Sequence, residues 1–338
     1  MKKSNIGGQG VLEGVMMRAP SVCGLAVRRT TGEIVYEKEC VTSATKKNKF
    51  YGFPVVRGVV SFIDMMAYGV KTITKSAKLF DDTAQDYKPS KFESFIAKKT
   101  GKEIMDVAIV FAVVLSVALA IGIFFILPSI LVNILRPYIA SPIIMNLVEG
   151  GVRMLIFFIY VMLITFLKEI KRVFMYHGAE HKTINCYEHE EELTVENVQK
   201  FKTLHPRCGT SYLLLVMVIS ILLFSLLGWS PSWYARIGLR LLMLPVVAGV
   251  AYEFLKFAAR GESMFFRIIR WPGMMLQKLT TAEPEDSMVE VAIVAFVAAM
   301  DELDEAALCD LAKSFLRPTT NKDNTKENQK SEPQQAQG

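Results

Sequence analysis

The chain has 338 residues, and 51% of them are hydrophobic, which is a high share for a water-soluble protein. The apolar residues are grouped in long runs, so the composition argues against one soluble domain and favours membrane-spanning segments. The formal net charge is +6. We expect the basic residues to meet anionic lipid headgroups, which are simpler partners for them than a nucleic acid.

Cysteine usage and the first residues both favour a cytosolic setting for the soluble parts. The five cysteines are an odd number and lack the close spacing of a disulfide framework, so we expect reduced thiols. The first residues lead into Gly7-Gly8-Gln9-Gly10 and not into an apolar stretch, so no cleavable signal peptide is predicted. Insertion into a membrane would then depend on internal segments.

Residues 1–53 are predicted to form a small β-rich cytoplasmic region. Residues 22–29 and 33–39 have the composition of strands, and Thr30-Thr31-Gly32 is a suitable hairpin turn between them. The glycines at positions 7, 8, 10 and 14 indicate tight backbone turns ahead of these strands.

Residues 54–103 are predicted to form an amphipathic helix followed by a connector. Pro54 can open the helix, because its missing N–H costs nothing in the first turn. An apolar stripe at helical spacing is followed by lysines on the polar side: Val55, Val56, Val59, Val60, Ile63, Met66, Ala67 and Val70, then Lys71, Lys75 and Lys78. The helix could face a soluble core, or it could lie among lipid headgroups with its lysines on anionic lipid.

The chain as a whole is predicted to be a mainly α membrane protein with about four transmembrane helices. The membrane domain covers residues 104–260, and its spans lie near residues 107–127, 154–167, 212–228 and 237–259. The first span is uncharged, and its 21 residues would cover roughly 31 Å, which matches the hydrocarbon core of a bilayer.

The second predicted span is short, because 14 residues cover only about 21 Å. It can be lengthened towards the N-terminus through residues 143–151, where Glu149 and Arg153 can pair at i,i+4. Alternatively it can be lengthened through residues 173–175, with Lys168 reaching towards the interface.

Basic residues near the span ends predict the orientation. Residues 1–103 contain 18 lysines and arginines, and the histidine loop, residues 168–211, contains seven. The other two connections hold few, chiefly Arg136 and Arg236. The positive-inside rule therefore places both termini and the histidine loop in the cytoplasm of a multi-pass protein.

Residues 261–317 are predicted to form a cytoplasmic C-terminal helical region. Trp271-Pro272-Gly273 indicates a turn, and Ser287 with Glu290 would make a capping box ahead of a helix over residues 288–316. That helix carries acidic residues, so it should dock on a soluble surface and not span a membrane. Residues 318–338 are polar and are predicted to be a disordered tail.

The clearest indication of chemistry is the pair His177 and His181. Residues four apart share one face of a helix, so two imidazoles so placed can bind one Zn²⁺ through their ring nitrogens. Glu180 immediately precedes the second histidine. This His-x-x-Glu-His order matches the inverzincin motif, in which the glutamate acts as a general base.

The remaining ligands decide what kind of site this is. His205 and Cys208 are the natural candidates, while Glu188 and His189 are nearer in sequence and stay open. Three protein ligands would leave a position open for catalysis with Glu180 as the base. Four, from both motif histidines together with His205 and Cys208, would make a closed structural site. Zinc, or another divalent transition metal, is the expected cofactor.

Other ionisable residues could line the same cytoplasmic site. Glu253 lies on the inner half of the fourth span and can pair with Lys256 at i,i+3. Glu13 with Arg18, and Arg57 beside a glycine, are further candidates. Structural ion pairing is the simpler interpretation for each of them.

Several blocks of the chain resemble a bacterial family. They are residues 7–18 (GGQGVLEGVMMR), 176–188, 205–210 (HPRCGT), 244–249 (LPVVAG) and 279–281 (LTT). Over nearly all of residues 5–316 the chain is similar to the YqhQ-like family, which is built on a domain of unknown function and commonly labelled a predicted metal-dependent enzyme. The resemblance implies a bacterial inner-membrane protein of Gram-positive type. Gly10 stands where the family pattern leads us to expect alanine.

Two functions stay open on the sequence. A membrane metalloenzyme of hydrolase type would act on a peptide, lipid or nucleotide reached from the cytoplasmic face. A non-catalytic membrane adaptor or scaffold would use the metal only to fold the histidine loop. A transporter is less suited, because the first and third spans offer only Ser116, Ser220 and Ser225 as polar residues. A homo-oligomer is compatible with either function.

Overall fold

The computed structural model describes residues 4–42, 44–46, 48–80, 104–206, 208–228, 232–258, 263–300 and 304–316. The strands are β1 (Gly7–Val11), β2 (Gly14–Arg18), β3 (Val22–Arg28) and β4 (Ile34–Cys40). The helices are α1 (Val56–Phe80), α2 (Ile104–Ile121), α3 (Leu127–Asn133), α4 (Pro142–Ile164), α5 (Lys168–Glu188), α6 (Val195–Gln199), α7 (Gly209–Ser225), α8 (Trp233–Ala258), α9 (Met264–Thr280), α10 (Asp286–Met300) and α11 (Glu305–Ser314). The protein is therefore mostly helical, with a small N-terminal sheet.

The sheet is an antiparallel meander in the order β1-β2-β3-β4. The predicted hairpin between β3 and β4 is confirmed, and Gly32 takes the positive φ of 87° that its turn requires. The prediction that the N-terminal glycines mark turns was wrong for Gly7, Gly8 and Gly10, which belong to strand β1. That strand pairs with β2 through a two-residue loop, in which Glu13 has a φ of 48°.

Both faces of the sheet are covered, so alternate residues of β3 meet different helices. Cys23, Leu25 and Val27 form a cluster with side chains of α1. Gly24 points the other way, towards α10, where a Cβ would lie only 2.5 Å from the carbonyl oxygen of Ala295. This two-sided burial explains why β3 is apolar at nearly every position.

The centre of the main hydrophobic core is α10, which is apolar on every side from Val291 onward. Met288, Ile293 and Phe296 are at most 1% exposed, and the helix packs against the sheet, α5 and α6. A helix without a polar face must be enclosed, and protein encloses this one. The prediction that this segment docks rather than spans is therefore confirmed.

Three helical stretches of the described residues are long and apolar enough to cross a membrane. The first stretch, Val110–Asn133, runs from within α2 to the end of α3, and the other two are α4 (Pro142–Ile164) and α8 (Trp233–Ala258). They correspond to the first, second and fourth predicted spans. The predicted third span forms α7, whose 17 residues cover about 25 Å, somewhat less than a hydrocarbon core of roughly 30 Å.

Helix α7 nevertheless runs alongside the longer helices. Near its beginning, the hydroxyl of Tyr212 donates to the carbonyl oxygen of Ala248 in the C-terminal half of α8 (2.9 Å). Just after its end, the carbonyl oxygen of Leu227 accepts from the amide of Asn146 in the first turns of α4 (2.7 Å). It is therefore antiparallel to both neighbours and extends over most of their length.

A network of buried charges lies among these helices. The carboxylate of Glu149 is 1% exposed and accepts from Arg153 (3.1 Å) and from Arg240. Arg240 also donates to Asn146 (2.9 Å), and Arg236 donates to Ser129 (3.1 Å). The predicted i,i+4 pair is confirmed, and the second arginine explains how an acidic group is kept among apolar helices.

Several predicted boundaries were wrong. The second span takes its extra length from its N-terminal side only, because the chain turns at residues 165–167 and α5 is a separate helix. Trp271-Pro272-Gly273 does not form a turn but lies inside α9, which packs on α7. The C-terminal helix is divided, since α10 ends at Met300 and α11 begins after Asp304, which caps it.

Helix α10 begins at Asp286, one residue before the predicted cap Ser287. The carboxylate of Glu290, the other residue of the predicted capping box, pairs with Arg28 of β3 (2.6 Å). Three other parts of the sequence interpretation concern residues outside the described ones: the connector at 81–103, Arg207, and the tail at 318–338.

Candidate metal centre

Helix α5 places the motif residues on a single buried face. His177, Glu180 and His181 are 9%, 3% and 1% exposed. Their spacing turns them towards the start of α7 and the sheet, because residues three and four apart are neighbours on a helix. The helix predicted from the histidine spacing is thus present, and its functional face is enclosed rather than open to bulk solvent.

The donor atoms of His177, His181 and Cys208 all lie within 4.8 Å of one another. The Nε2 atom of His177 is 3.3 Å from the sulfur of Cys208, and the two imidazole ring centres are 4.4 Å apart. Cys208 is the N-cap residue of α7. The group therefore joins the histidine helix to the beginning of the next membrane-associated helix.

Backbone carbonyls hold both imidazoles in the same orientation. The Nδ1 atom of His177 donates to the carbonyl oxygen of Thr280 (2.9 Å), and that of His181 donates to Thr203. Each Nε2 atom is left as a lone-pair donor directed towards Cys208. Metal-binding histidines in proteins are fixed by the same kind of second partner.

Two further observations fit a metal here. Among the described residues, the buried Nε2 of His181 has no hydrogen-bond partner of ordinary geometry. Burial lowers the pKa of His181, which favours the neutral imidazole that a metal ion requires. Two nitrogens and one sulfur are also the donor types that zinc prefers.

His205 lies beside this group but does not belong to it. Its Nε2 atom is 3.5 Å from the carboxylate of Glu188, which also accepts from the backbone and the hydroxyl of Ser4. The side chain of Gln277 holds the backbone of His205 by accepting from its N–H (2.9 Å) and donating to its carbonyl oxygen (2.8 Å). Burial lowers the pKa of His205.

Of the two candidates that the sequence leaves open, Cys208 is the one whose donor atom lies within 4.8 Å of those of both motif histidines. His189 is remote from the group, since it is exposed and its ring stacks on Phe201.

Glu180 faces the histidines from the same helix. One carboxylate oxygen lies 4.0 Å from the Nε2 atom of His177 and has no hydrogen-bond partner among the described residues. Gly8 of β1 packs directly against this carboxylate. Desolvation raises the pKa of Glu180, because the surrounding protein penalises the charged form. A carboxylate so placed is suited to accept a proton.

Strand β1 reaches Glu180 only because it is rich in glycine. A Cβ on Gly8 would lie 3.0 Å from the carboxylate carbon of Glu180, and one on Gly10 would lie 2.4 Å from the carbonyl oxygen of Val173. This close packing of β1 was not predicted, although the sequence indicates it. Gly8 and Gly10 are two residues apart, so they share one face of a strand.

Gly178 is also explained by close packing. A Cβ there would lie 2.1 Å from the carbonyl oxygen of Ala282, whose N–H donates to Phe174 (3.0 Å). We expect Gly178→Ala to lower the free energy of unfolding by about 2 kcal/mol, because the overpacking cost exceeds the gain of roughly 1 kcal/mol in helix propensity. Thermal unfolding in detergent measures the effect.

The control for this substitution is Gly151→Ala in α4, where a Cβ would meet nothing within 4 Å. It should leave the melting temperature unchanged or raise it. Equal melting temperatures for the two variants would show that the segment after α9 does not need the close approach at Gly178.

A partly open cleft of about 490 Å³ ends at the donor group. Glu180, His181 and Cys208 line one end of it, together with Gly8 and Gln9 of β1. Its side walls are mainly apolar or aromatic and include Met16, Phe62, Met65, Tyr68, Tyr212, Tyr252 and Leu255. The candidate metal centre is therefore accessible to a molecule that fits between the sheet, α1 and the two membrane-associated helices.

The remaining predicted residues form ion pairs around this cleft. Arg18 pairs with Asp64 of α1 (3.0 Å), and both line the cleft. Glu13 does not pair with Arg18, since it accepts from Arg172 and from the hydroxyl of Tyr176 (3.1 Å).

Arg57 and Glu253, two more of the predicted site residues, lie next to each other at the start of α1. Glu253 pairs with Arg57 (2.6 Å), not with Lys256 as its spacing predicts. This pair attaches α1 to the C-terminal part of α8, beside the cleft.

A family model described as "Protein of unknown function (DUF1385)" matches residues 53–302. The chain belongs to this family. Among curated proteins it is similar to "Uncharacterized protein YqhQ" of Bacillus subtilis (strain 168), at 34% identity over 292 residues, which cover 86% of this chain and 90% of the relative. No solved structure matches the chain. In this DUF1385 protein, the family match includes the whole donor group.

Proposed function

We propose that this protein is a metal-dependent hydrolase of the bacterial cytoplasmic membrane, with its active site at the cytoplasmic end of the membrane helices. The convergence of His177, His181 and Cys208 beside the buried carboxylate of Glu180, at the end of an accessible cleft, carries the proposal. Three neighbouring donors leave a coordination position for substrate, as in catalytic zinc sites.

The membrane topology that we propose has four crossings and cytoplasmic termini. Helix α7 supports a fourth crossing, because it is antiparallel to α4 and α8 and is level with both. The sheet packs on α5, which directly follows α4, so the N-terminal region and the histidine helix share one end of the helices. The concentration of basic residues in these segments favours the cytoplasm for that end.

The metal ion that suits this donor set is zinc. When bound, it supplies a Lewis acid that polarises a carbonyl or phosphoryl oxygen and increases the acidity of water. The protein's own groups supply the rest. Glu180 accepts a proton from the attacking water through its unpartnered oxygen, and the carbonyl oxygens of Thr280 and Thr203 hold the two imidazoles in place.

A second candidate is a non-catalytic adaptor whose metal only joins α5 to α7. The burial of all three donor residues favours this alternative, since structural zinc sites are enclosed. The two functions differ in what they require of Glu180, which an adaptor does not need as a proton acceptor.

Metal analysis tests the site itself. Protein purified from zinc-supplemented cells is expected to carry about one zinc per chain. His181→Ala and Cys208→Ala should each weaken zinc binding, because each removes a direct ligand. The loss should exceed the roughly 10- to 100-fold expected when only a hydrogen-bond partner of a ligand is removed. Elemental analysis combined with a competing chelator gives both quantities.

The matched control is His189→Ala, which removes an exposed imidazole from the end of the same helix region. It should keep the metal content of the unaltered protein. Wild-type protein without stoichiometric metal, or a His181→Ala variant that retains it, would end the metal proposal.

A further inference from the structure

Helix α1 separates the cleft from the surface of the molecule. Phe62, Met65 and Tyr68 line the cleft from this helix. Ile63 and Met66, which do not line the cleft, are 60% and 52% exposed, and Met65 is 47% exposed. A helix with apolar residues both in the cleft and at its exposed surface, beside membrane helices, fits the lipid–water interface better than water.

The position of α1 relative to the membrane helices supports this placement. Gly58 approaches Gly249 of α8 so closely that a Cβ would lie 2.9 Å from its Cα atom. The Arg57–Glu253 pair lies on the same side. Helix α1 therefore starts at the C-terminal part of a membrane helix and continues along the sheet.

The cleft itself extends into the membrane-associated helices. Tyr212 lies in the first turn of α7, and Tyr252 and Leu255 lie near the end of α8. The lining of the cleft thus combines the polar donor residues with apolar side chains of α7, α8 and α1. A molecule with one polar and one apolar end would fit this arrangement.

The polar part of the lining indicates which head chemistry the cleft can take. Among the described residues that line it, Arg18 is the one lysine or arginine, and Asp64 neutralises it. The amide nitrogen of Gln9 is buried there without a hydrogen-bond partner among those residues, against Gly69 of α1. One neutral donor suits a carbonyl oxygen, whereas a polyphosphate would need unpaired cations.

We propose that the substrate of this site is an ester-linked lipid of the inner leaflet, and this rests on the proposed hydrolase function. Its acyl chain would lie against Met65, Tyr252 and Leu255, and its ester carbonyl would accept from Gln9. In the reaction, the water oxygen bonds to the carbonyl carbon and the bond to the alcohol oxygen breaks. The proton that Glu180 takes from the water passes to the departing alcohol, so one fatty acid and one alcohol result.

The experiment uses the full chain in nanodiscs that contain phosphatidylglycerol with a photoreactive diazirine in its acyl chain. After irradiation, mass spectrometry maps the labelled peptides, and labelling at the cleft is divided by labelling around Leu115, an exposed residue of α2. We expect label on the peptides that contain Phe62 and Tyr252. Met65→Gln should lower the ratio at least fivefold, because it places a polar group where the chain lies.

The matched control is Met66→Gln, the same substitution one residue further on, because Met66 is about as exposed as Met65 but does not line the cleft. It should leave the ratio within twofold. If Met65→Gln does not fold, Leu255→Gln on the opposite wall provides the same test. Equal ratios in cleft and control variants, or no cleft label in the unaltered protein, would overturn the lipid assignment.

A competition arm tests recognition of the carbonyl. Unlabelled ester-linked phosphatidylglycerol should suppress cleft labelling at least fivefold better than the ether-linked lipid, which has the same phosphate but no carbonyl. Equal competition would overturn the ester assignment in favour of the headgroup phosphate.

Cleft labelling without fatty-acid release would refute the hydrolase proposal and leave lipid binding standing. Cleavage of a soluble peptide without cleft label would refute the lipid and leave the hydrolase.

Discussion

Glu180→Gln is expected to lower the rate of hydrolysis by about 10²- to 10⁴-fold while the protein keeps its metal, because this is the usual contribution of a general base. Glutamine has nearly the same size as glutamate and can keep the packing against Gly8, and its amide oxygen can still accept a hydrogen bond. It cannot accept a proton. The variant therefore separates proton transfer from folding and from metal binding.

Fatty-acid release from ester-linked phosphatidylglycerol in nanodiscs gives the rate, and elemental analysis of the same sample gives the metal content. Glu191→Gln is the matched control, because Glu191 is exposed and its side chain lies outside the cleft. Its rate should equal that of the unaltered protein. Full turnover in Glu180→Gln would remove the assigned role of this carboxylate, and loss of metal would instead indicate that Glu180 itself binds the ion.

Glu149→Ala is expected to lower the free energy of unfolding by about 3–5 kcal/mol, the usual cost of breaking a buried ion pair. Both Arg153 and Arg240 donate to this carboxylate and are at most 6% exposed. Removing it leaves two cations among apolar helices with only neutral partners, which are Asn146 for Arg240 and the carbonyl oxygen of Phe124 for Arg153. Thermal unfolding in detergent or nanodiscs measures the loss.

Two comparisons make this result specific. Leu155→Ala, at an exposed position of the same helix, should change the melting temperature far less. Replacing Glu149, Arg153 and Arg240 together by leucine and methionine should restore much of the stability, because no charge then remains buried. A melting temperature for Glu149→Ala equal to that of Leu155→Ala would show that the network contributes little.

The elements that could be predicted are those whose signal is local in the chain. The hairpin of β3 and β4 follows from two strand-like runs and a glycine turn, and the long apolar helices follow from uninterrupted apolar runs. The shared face of His177 and His181 follows from the pitch of a helix. In each case neighbouring residues contain all the necessary information.

The elements that were missed depend on contacts between distant residues. Pro272 normally marks a turn, yet α9 continues through it while packing on α7. The partner of Glu253 is 196 residues away, so local spacing suggested Lys256 instead of Arg57. The glycines of β1 were attributed to turns because their neighbour, α5, is remote in sequence.

The candidate metal centre shows the same division. By itself, the sequence determined that His177, Glu180 and His181 lie on one helix face and that this helix follows a long apolar segment, since both depend on patterns within a short segment. The tertiary structure alone decided that the donor atom of Cys208 lies within 4.8 Å of those of both histidines. His205 and Cys208 are in the same short loop, and its path depends on Gln277 of α9 and on the start of α7, which local periodicity does not encode.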